Sequence, residues 1–503
     1  MHADTPGLIH IRPEDNVAVV SRPFSRGTEV WLDGQSLTLA ADLPQGHKVA
    51  LRPVAAGQPV IKYGAPIGLA LTQIQPGQWV HTHNLHSGLS GERAYAYQPL
   101  LKETPTAAAA RPRLRTFQGI RRLDGQVGIR NEIWILPLVG CVNSIGQRLA
   151  GLLGPAARKR GLDGIYCLTH PYGCSQLGDD LVYTQKILAA LARHPNAGGV
   201  LFVGLGCENN TLASFRSVLG PYDDRRVRFM ICQQEPDEIQ RGQEILQDLI
   251  ELAAGDRRQP VPLSELTVGL KCGGSDGLSG LTANPAAGAF SDLLIRQGGS
   301  SILTEVPEMF GAEQLLMQRC ASREVFDQTV EMINQFKAYF LAHGQTVYEN
   351  PSPGNKDGGI STLEDKSLGC VQKGGNSPVC GVIAYGQTRQ RQGLNLLWSP
   401  GNDLVSTTAL TAAGAQLILF TTGRGTPFGA PAVTLKIASN TPLAQRKPGW
   451  IDFDAGQITA GMTVAKAGQL LLELVLETAD GKLSRAELNG CRDIAIFKDG
   501  VTL

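Results

Sequence analysis

Ile133-Trp134-Ile135-Leu136-Pro137-Leu138-Val139-Gly140-Cys141 is the stretch from which the fold can be read. A β-rich run ends on Gly-Cys, and residues 145–160 then place apolar side chains at helical spacing. The same order recurs downstream: strand patterns at 165–169, 200–205 and 227–231 lead into helical patterns at 181–192, 212–219 and 237–253. Strands alternating with helices predict a parallel, doubly wound sheet over residues 116–255. Ligands of such sheets bind outside the carboxyl ends of the strands. Those ends read Gly140-Cys141, His170-Pro171-Tyr172-Gly173-Cys174, Gly204-Leu205-Gly206-Cys207-Glu208 and Cys232.

Outward from this segment, residues 256–503 are again α/β, with strand patterns at 267–271, 301–304, 382–384, 395–398 and 416–420. The first of these ends Lys271-Cys272-Gly273-Gly274-Ser275-Asp276, a further cysteine at a strand end. Residues 344–376 lack periodicity and carry Gly, Pro and Lys, which predicts a functional loop such as an active-site lid. Residues 1–103 read as short strands punctuated by Gly27, Gly34, Gly46, Gly57, Gly64 and Gly77, a small all-β domain. Residues 104–115, rich in Ala, Pro and Arg, read as a linker on which that domain could close over a substrate. No internal repeat is visible.

The chain has 503 residues, 42% hydrophobic, with 46 Lys plus Arg against 45 Asp plus Glu. These values exclude disorder and leave no basic field for nucleic acid or anionic lipid. At roughly 150 residues per domain the length suggests about three domains. No apolar run is long enough for a bilayer, and residues 1–16 lack the apolar core of a signal peptide. Ten cysteines are too sparse for a disulfide scaffold, so a cytoplasmic enzyme with reduced thiols is expected, with neither nucleic acid nor membrane as partner. The 59 glycines imply many tight turns, or places where backbone meets ligand.

Each strand-end cysteine read alone is equally a small buried hydrophobe. Together they could line one crevice, and with His170 and Glu208 their thiolates would suit iron or zinc. The spacing is not that of a zinc knuckle. A nucleophilic cysteine with His170 as base is the competing chemistry. Gly204-Leu205-Gly206 begins like a dinucleotide fingerprint, but Asn209 stands at the third glycine and NAD is discounted. Thr422-Gly423-Arg424-Gly425-Thr426-Pro427 is either an ordinary turn or an anion cradle in which Arg424 donates twice. His81 and His83 share one side of an extended segment, as metal ligands or as edge residues. Lys356 and Glu364-Asp365-Lys366 give surface ion pairs or a cationic clamp for a carboxylate.

Together these motifs resemble the altronate and galactarate dehydratase family. Gly46-His47-Lys48-Val49-Ala50-Leu51 and Ile61-Lys62-Tyr63-Gly64 are similar to its SAF-type β-clip domain. Gly128-Ile129-Arg130-Asn131, Tyr172-Gly173-Cys174, Cys272-Gly273-Gly274-Ser275-Asp276, Thr282-Ala283-Asn284-Pro285 and Asn350-Pro351-Ser352-Pro353-Gly354-Asn355-Lys356 resemble its main body. The resemblance covers essentially the whole chain. Trp134-Ile135-Leu136-Pro137, His81-Thr82-His83-Asn84 and Glu308-Met309-Phe310-Gly311 are closer to the altronate branch.

The resemblance implies an N-terminal all-β SAF domain followed by two α/β domains with mainly parallel sheets. It also implies loss of water from D-altronate to give 2-dehydro-3-deoxy-D-gluconate in hexuronate breakdown, with Fe(II) or Mn(II). That elimination removes the C2 proton beside the carboxylate and expels the C3 hydroxyl. The developing enediolate needs a nearby cation, and the hydroxyl needs a Lewis acid or a proton donor. We expect His47, His170 or Glu305 to handle the proton, with His170 and Cys174 as the firmest site residues. Lys48, Ser275, Asp276, Asn284, Lys356 and Arg424 would bind the sugar acid. Metal ligands would come from Cys141, Cys174, Cys207, Cys272, His81 and His83. Rival readings are a cysteine-ligated iron–sulfur cluster, galactarate or another sugar acid as substrate, a binding protein without turnover, and a cysteine-nucleophile hydrolase. A homo-oligomer is compatible with all of them.

Overall fold

The computed structural model describes residues 4–100 and 115–500; the expected linker at 104–115 lies, but for Arg115, outside the described residues. Strands Gly164–Cys167, Glu132–Pro137, Ala197–Gly204 and Val227–Ile231 form a sheet in that order, parallel throughout. The two-residue period of Glu132–Pro137 feeds both layers around it. Ile133 and Ile135 pack with Leu149 and Leu249 of helices Asn143–Lys159 and Glu238–Ala253. Trp134 and Leu136 pack with Leu188 and Phe215 of helices Gly178–Ala192 and Leu212–Leu219. The doubly wound sheet expected from the sequence is present.

The C-terminal domain is built on seven strands, all parallel to their neighbours. Their order is Val379–Ile383, Gly393–Leu397, Ser300–Leu303, Thr267–Cys272, Leu417–Thr422, Val433–Ala438 and Phe453–Asp454. Thr267–Cys272 and Leu417–Thr422 are buried at every residue, as central strands covered on both faces must be. Strand Thr116–Arg121 pairs antiparallel with Val127–Gly128 and Arg258–Pro262, so the chain enters and leaves the middle domain through one small sheet. The two α/β domains share a core in which Leu136 joins Ile418 and Phe420. Helix Gly178–Ala192 lies against helix Asp403–Ala412, and just past their C-terminal ends His194 Nε2 lies 3.0 Å from the Ala415 carbonyl. The carboxyl edges of both sheets therefore point to the same end of the molecule. No helix among the described residues is long and apolar enough to cross a membrane.

The N-terminal domain consists of short antiparallel strands, among them Val17–Val20, Lys48–Ala50, Pro59–Lys62 and Ala65–Ala70. It contains a recurrence, Gly-x-x-Val at residues 27–30, 46–49, 57–60 and 77–80, which corrects the expectation of no internal repeat. Bridges Phe24↔Leu43 and Val54↔Ile74 anchor four like turns, which close on Gly27, Gly46, Gly57 and Gly77, all with φ between 78° and 85°. Its last strand is Leu85–His86, and Leu100 already bonds to Gln318 of the C-terminal domain.

Residues 344–376, expected as a lid, instead carry a helix, Leu363–Cys370, buried at all eight residues. Asp365 of this helix accepts from Lys48 Nζ at 2.8 Å and Lys62 Nζ at 2.9 Å, with all three side chains at most 2% exposed. Lys48 also donates to the Gly359 carbonyl and to Ser361 Oγ, at 2.7 and 2.8 Å. Burial alone would raise the Asp365 carboxyl, but Lys48 and then Lys62 hold it well below the usual carboxylate range. Asp365→Asn would leave two buried ammonium groups without a counter-charge, and should cost about 3–5 kcal/mol in denaturant unfolding. Because the folded-state pKa is depressed, this stabilisation is full above the unfolded value of about 4 and fades as pH falls below it. Wild type should therefore lose stability in acid more steeply than the variant; equal midpoints at neutral pH would mean that apolar contacts alone hold the β-domain.

Candidate active site

Strand Thr267–Cys272 delivers two buried side chains to its carboxyl end. Lys271 pairs with Glu305 and, at 2.8 Å, with Asp403. Glu305 also accepts from Lys373 Nζ at 3.1 Å and from the Cys272 amide at 3.0 Å. Its backbone lies in the left-handed region, φ 71°, a conformation that these bonds hold against its strain. Glu305 is thus clamped between two lysines and does not line the cavity described below, which corrects the expectation that it takes or gives the proton.

Glu308, one turn on, faces both thiols. Its Oε2 lies 3.0 Å from Cys272 Sγ and 3.2 Å from Cys370 Sγ, and the two sulfurs are 3.4 Å apart. These three form the one group of His, Cys, Asp or Glu donor atoms within 4.8 Å of one another among the described residues. Lys366 Nζ caps the cluster, 2.7 Å from Glu308 Oε1. Burial pushes Glu308 up, yet Lys366, Lys271 and Lys373 together hold it well below the carboxylate range. The sulfur contact with Cys272 and burial push the Cys370 thiol well up.

Lys62, Ser275, Asp276, Asn284, Lys366 and Cys370 line a cavity of ≈ 10 Å³ beside this cluster, room for about one water. Ser275 Oγ and Ser367 Oγ are buried without a hydrogen-bond partner. Buried hydroxyls are rarely left so, and Ser275 opens directly onto the cavity. Asp276 is fixed by Ser279, Ser439 and Asn440, and Asn284 by Gly369 and Thr421. Lys356 is partly exposed and Arg424 exposed, and neither side chain has an ion pair or hydrogen bond within the described chain. The Arg424 amide bonds to Gly274, one residue before Ser275, so its free charge hangs near the cavity.

The β-domain supplies the opposite wall. His47 accepts at Nδ1 from Trp79 Nε1 at 3.1 Å and donates from Nε2 to the Asp357 carbonyl at 3.2 Å. With both nitrogens engaged, it positions the wall and is no free base. His81 meets Ser361 Oγ at 3.0 Å, and burial with Lys48 nearby lowers it to about 3. His83 is exposed and does not join it, so the expected histidine pair is not a shared ligand set.

The strand-end cysteines do not all share one crevice. Cys272 is buried in the cluster above, whereas Cys141, Cys174 and Cys207 are exposed on the middle domain. His170 is buried, with Nε2 2.8 Å from the Pro137 carbonyl and Nδ1 accepting from the Tyr172 amide at 3.1 Å. Burial lowers it to about 4. It braces the Cys174 loop, which corrects its expected role in proton transfer. Glu308, Lys366 and Cys370 were not singled out as site residues, although Glu364-Asp365-Lys366 and Glu308-Met309-Phe310 stood out in the sequence. In metal-free protein a bulky thiol reagent should modify Cys141, Cys174 and Cys207 well before Cys272 and Cys370. Peptide mapping would show this, and early labelling of Cys272 would contradict the buried cluster.

Family models match nearly the whole chain. The altronate/galactarate dehydratase SAF domain covers residues 6–88, the D-galactarate dehydratase/altronate hydrolase second domain 119–254, and the D-galactarate/altronate dehydratase C-terminal domain 263–502. The altronate dehydratase of Escherichia coli (strain K12) is 53% identical over 98% of this chain and 99% of its own length. That of Bacillus subtilis (strain 168) is 50% identical over 99% of both. The galactarate dehydratase (L-threo-forming) of E. coli is 33% identical over 95% of this chain and 94% of its own. Fold and matches together define a three-domain dehydratase headed by a SAF domain. The chain belongs to the altronate and galactarate dehydratase family.

Proposed function

We propose that the chain dehydrates D-altronate to 2-dehydro-3-deoxy-D-gluconate at the cavity between the β-domain and the C-terminal domain. Identities of 53% and 50% to altronate dehydratases, against 33% to a galactarate dehydratase, favour altronate over galactarate. The observation that carries the site is the buried Cys272–Glu308–Cys370 cluster sharing a wall with a polar cavity that holds an unpartnered serine hydroxyl. Arg424 and Lys356 are free to take the substrate carboxylate as bidentate and point charges. Ser275 and Asn284 suit sugar hydroxyls. Lys366 keeps its proton, because against burial, the largest single effect, Glu308, Cys370 and Cys272 together raise it, and it offers the cation that a developing enediolate needs.

The proton acceptor we assign is the Lys48–Asp365–Lys62 group, whose Asp365 and Lys62 line the cavity. Two lysines share one carboxylate, and burial brings Lys48 down to about 8. Against the same burial, Asp365 and Tyr63 together hold Lys62 above the ordinary lysine value, so Lys48, behind the lining, is the member that can give up its proton. The donor set fits Fe(II) better than Mn(II), since thiolates are soft and Mn(II) prefers oxygen. Cys272, Glu308 and Cys370 would hold it. When bound, Fe(II) would supply Lewis acidity for the departing hydroxyl. At ≈ 10 Å³ the cavity is far smaller than a hexonate, so its lining side chains must rearrange for the substrate to enter.

Altronate with Fe(II) and a reductant should yield a 2-keto acid, with galactarate turned over more slowly; no product from either acid would overturn the proposal. Lys366→Met should lower kcat by about 10²–10³, in line with the loss of one charge-stabilising donor. Ser275→Ala should raise KM by about tenfold, the equivalent of one hydrogen bond. If the acceptor must be unprotonated, kcat/KM should rise with pH through about 8, the Lys48 value. Lys48→Arg, which cannot lose its charge near neutrality, should flatten that limb; an unchanged limb would remove this group as acceptor.

A further inference from the structure

Three loops at the carboxyl edge of the middle sheet each present Gly-Cys, and they are locked together. The Gly140 amide donates to the Tyr172 carbonyl at 2.8 Å, and the Asn210 amide to the Gly173 carbonyl at 3.0 Å. Asn210 Nδ2 reaches the Leu138 carbonyl at 2.9 Å, and the Ser175 amide reaches Asn209 Oδ1 at 2.7 Å. The loops lie so close that a Cβ at Gly173 would stand 2.1 Å from the Leu138 oxygen, and one at Gly140 2.9 Å from the His170 oxygen. Ser175, directly after Cys174, is held at φ 56°, a left-handed strain of the kind that concentrates at functional sites. Asn143 Oδ1, two residues after Cys141, is buried without a partner.

All this ordering serves three thiols that remain exposed: Cys141, Cys174 and Cys207. Cysteines are among the side chains most often buried, and these three stand out at the ends of adjacent strands. Their contacts are few. Cys174 Sγ lies 3.8 Å from Ser175 Oγ, and Gln233 Nε2 donates to Cys207 Sγ at 3.7 Å. Cys232, at the end of the fourth strand, is half-buried, and burial pushes its thiol up to about 11. It does not belong to the exposed set. Only the Cys272 cluster brings three donor atoms within 4.8 Å among the described residues, so the edge thiols are too widely spread for one ion to take all three.

We propose that Cys141, Cys174 and Cys207 hold an iron–sulfur cluster of the cubane type, distinct from the Cys272–Glu308–Cys370 site. Such a cluster spans sulfurs that one ion cannot, and amide N–H···S contacts like that of Gln233 tune it. Three cysteines would leave one iron without a protein thiolate, open to an oxygen ligand. Binding in the 2+ state uses ferrous and ferric iron in equal number, with sulfide, and releases the three thiol protons. The edge lies at the same end of the molecule as the C-terminal site, because helix Gly178–Ala192 begins just after Cys174 and helix Asp403–Ala412 begins at the Lys271 partner.

The test is anaerobic reconstitution of the full chain with ferrous and ferric iron and sulfide, read without substrate. Wild type should turn brown, with broad visible absorption and acid-labile sulfide equal to iron. Cys141→Ser, Cys174→Ser and Cys207→Ser should each weaken or abolish the absorption, while Cys272→Ser retains it. Because all three residues are exposed, these variants should melt with wild type. As a second reading on unmutated protein, the cluster should shield the same three thiols from alkylation. A triple serine variant that keeps colour and sulfide would overturn the proposal. So would metal bound without sulfide, or wild type that stays colourless. None of these outcomes bears on altronate turnover, which is assayed separately.

Discussion

A carboxylate held between two buried ammonium groups is the constraint on which this molecule depends. Helix Leu363–Cys370 is buried along its whole length, although Glu364, Asp365 and Lys366 are charged. An unpaired charge at such depth costs more than any single packing contact returns. Asp365 is answered by Lys48 and Lys62 and Lys366 by Glu308, while Glu364 takes hydrogen bonds from Gly88 and Ser87 at one oxygen and leaves the other, Oε2, buried without a partner. For two of the three, the partners come from the N-terminal domain. The β-domain is thus the counter-charge of the C-terminal core, and the site exists only where the two meet.

The arrangement continues inward. Lys48, Lys62, Lys271, Lys366 and Lys373 face Glu305, Glu308, Asp365 and Asp403 through direct pairs. Five cations against four carboxylates leave the centre one negative charge short. A thiolate of the cluster or the carboxylate of a sugar acid would fill that deficit. The chain as a whole carries a formal charge of +1, so attraction for an anion is local and not a property of the surface.

The fold was legible where periodicity is a local property. The alternation after Ile133 gave the parallel middle sheet, and glycine punctuation gave the β-domain. The centre of the site was not legible, because helix Leu363–Cys370 has no polar face. Buried on all sides and studded with charges, it reads as a solvated loop, and only tertiary pairing reveals otherwise. His170 misled for the opposite reason. A histidine beside a strand-end cysteine looks catalytic, yet both its nitrogens are spent on backbone. Ser275, Asp276 and Asn284 were read from a resemblance, and they do line one cavity with Lys366 and Cys370.

The abundance of glycine finds its reason at the same junction. The turn at Gly46 inserts between two C-terminal segments, and a Cβ on Gly277 would lie 1.9 Å from the Gly46 oxygen. One on Gly359 would lie 2.3 Å from that oxygen. The Gly277 amide in turn bonds to the Gly358 carbonyl at 2.8 Å. Backbone packs directly on backbone here, and any side chain would push the domains apart. Lys48, two residues beyond Gly46, reaches Asp365 only at this distance; a separation of even one methyl group would trade its charge-assisted hydrogen bond for an unpaired ammonium. Glycine at the contact and charge at the core are two sides of one requirement. The wall can be this close only without side chains, and it must be this close because the charges behind it have no other partners.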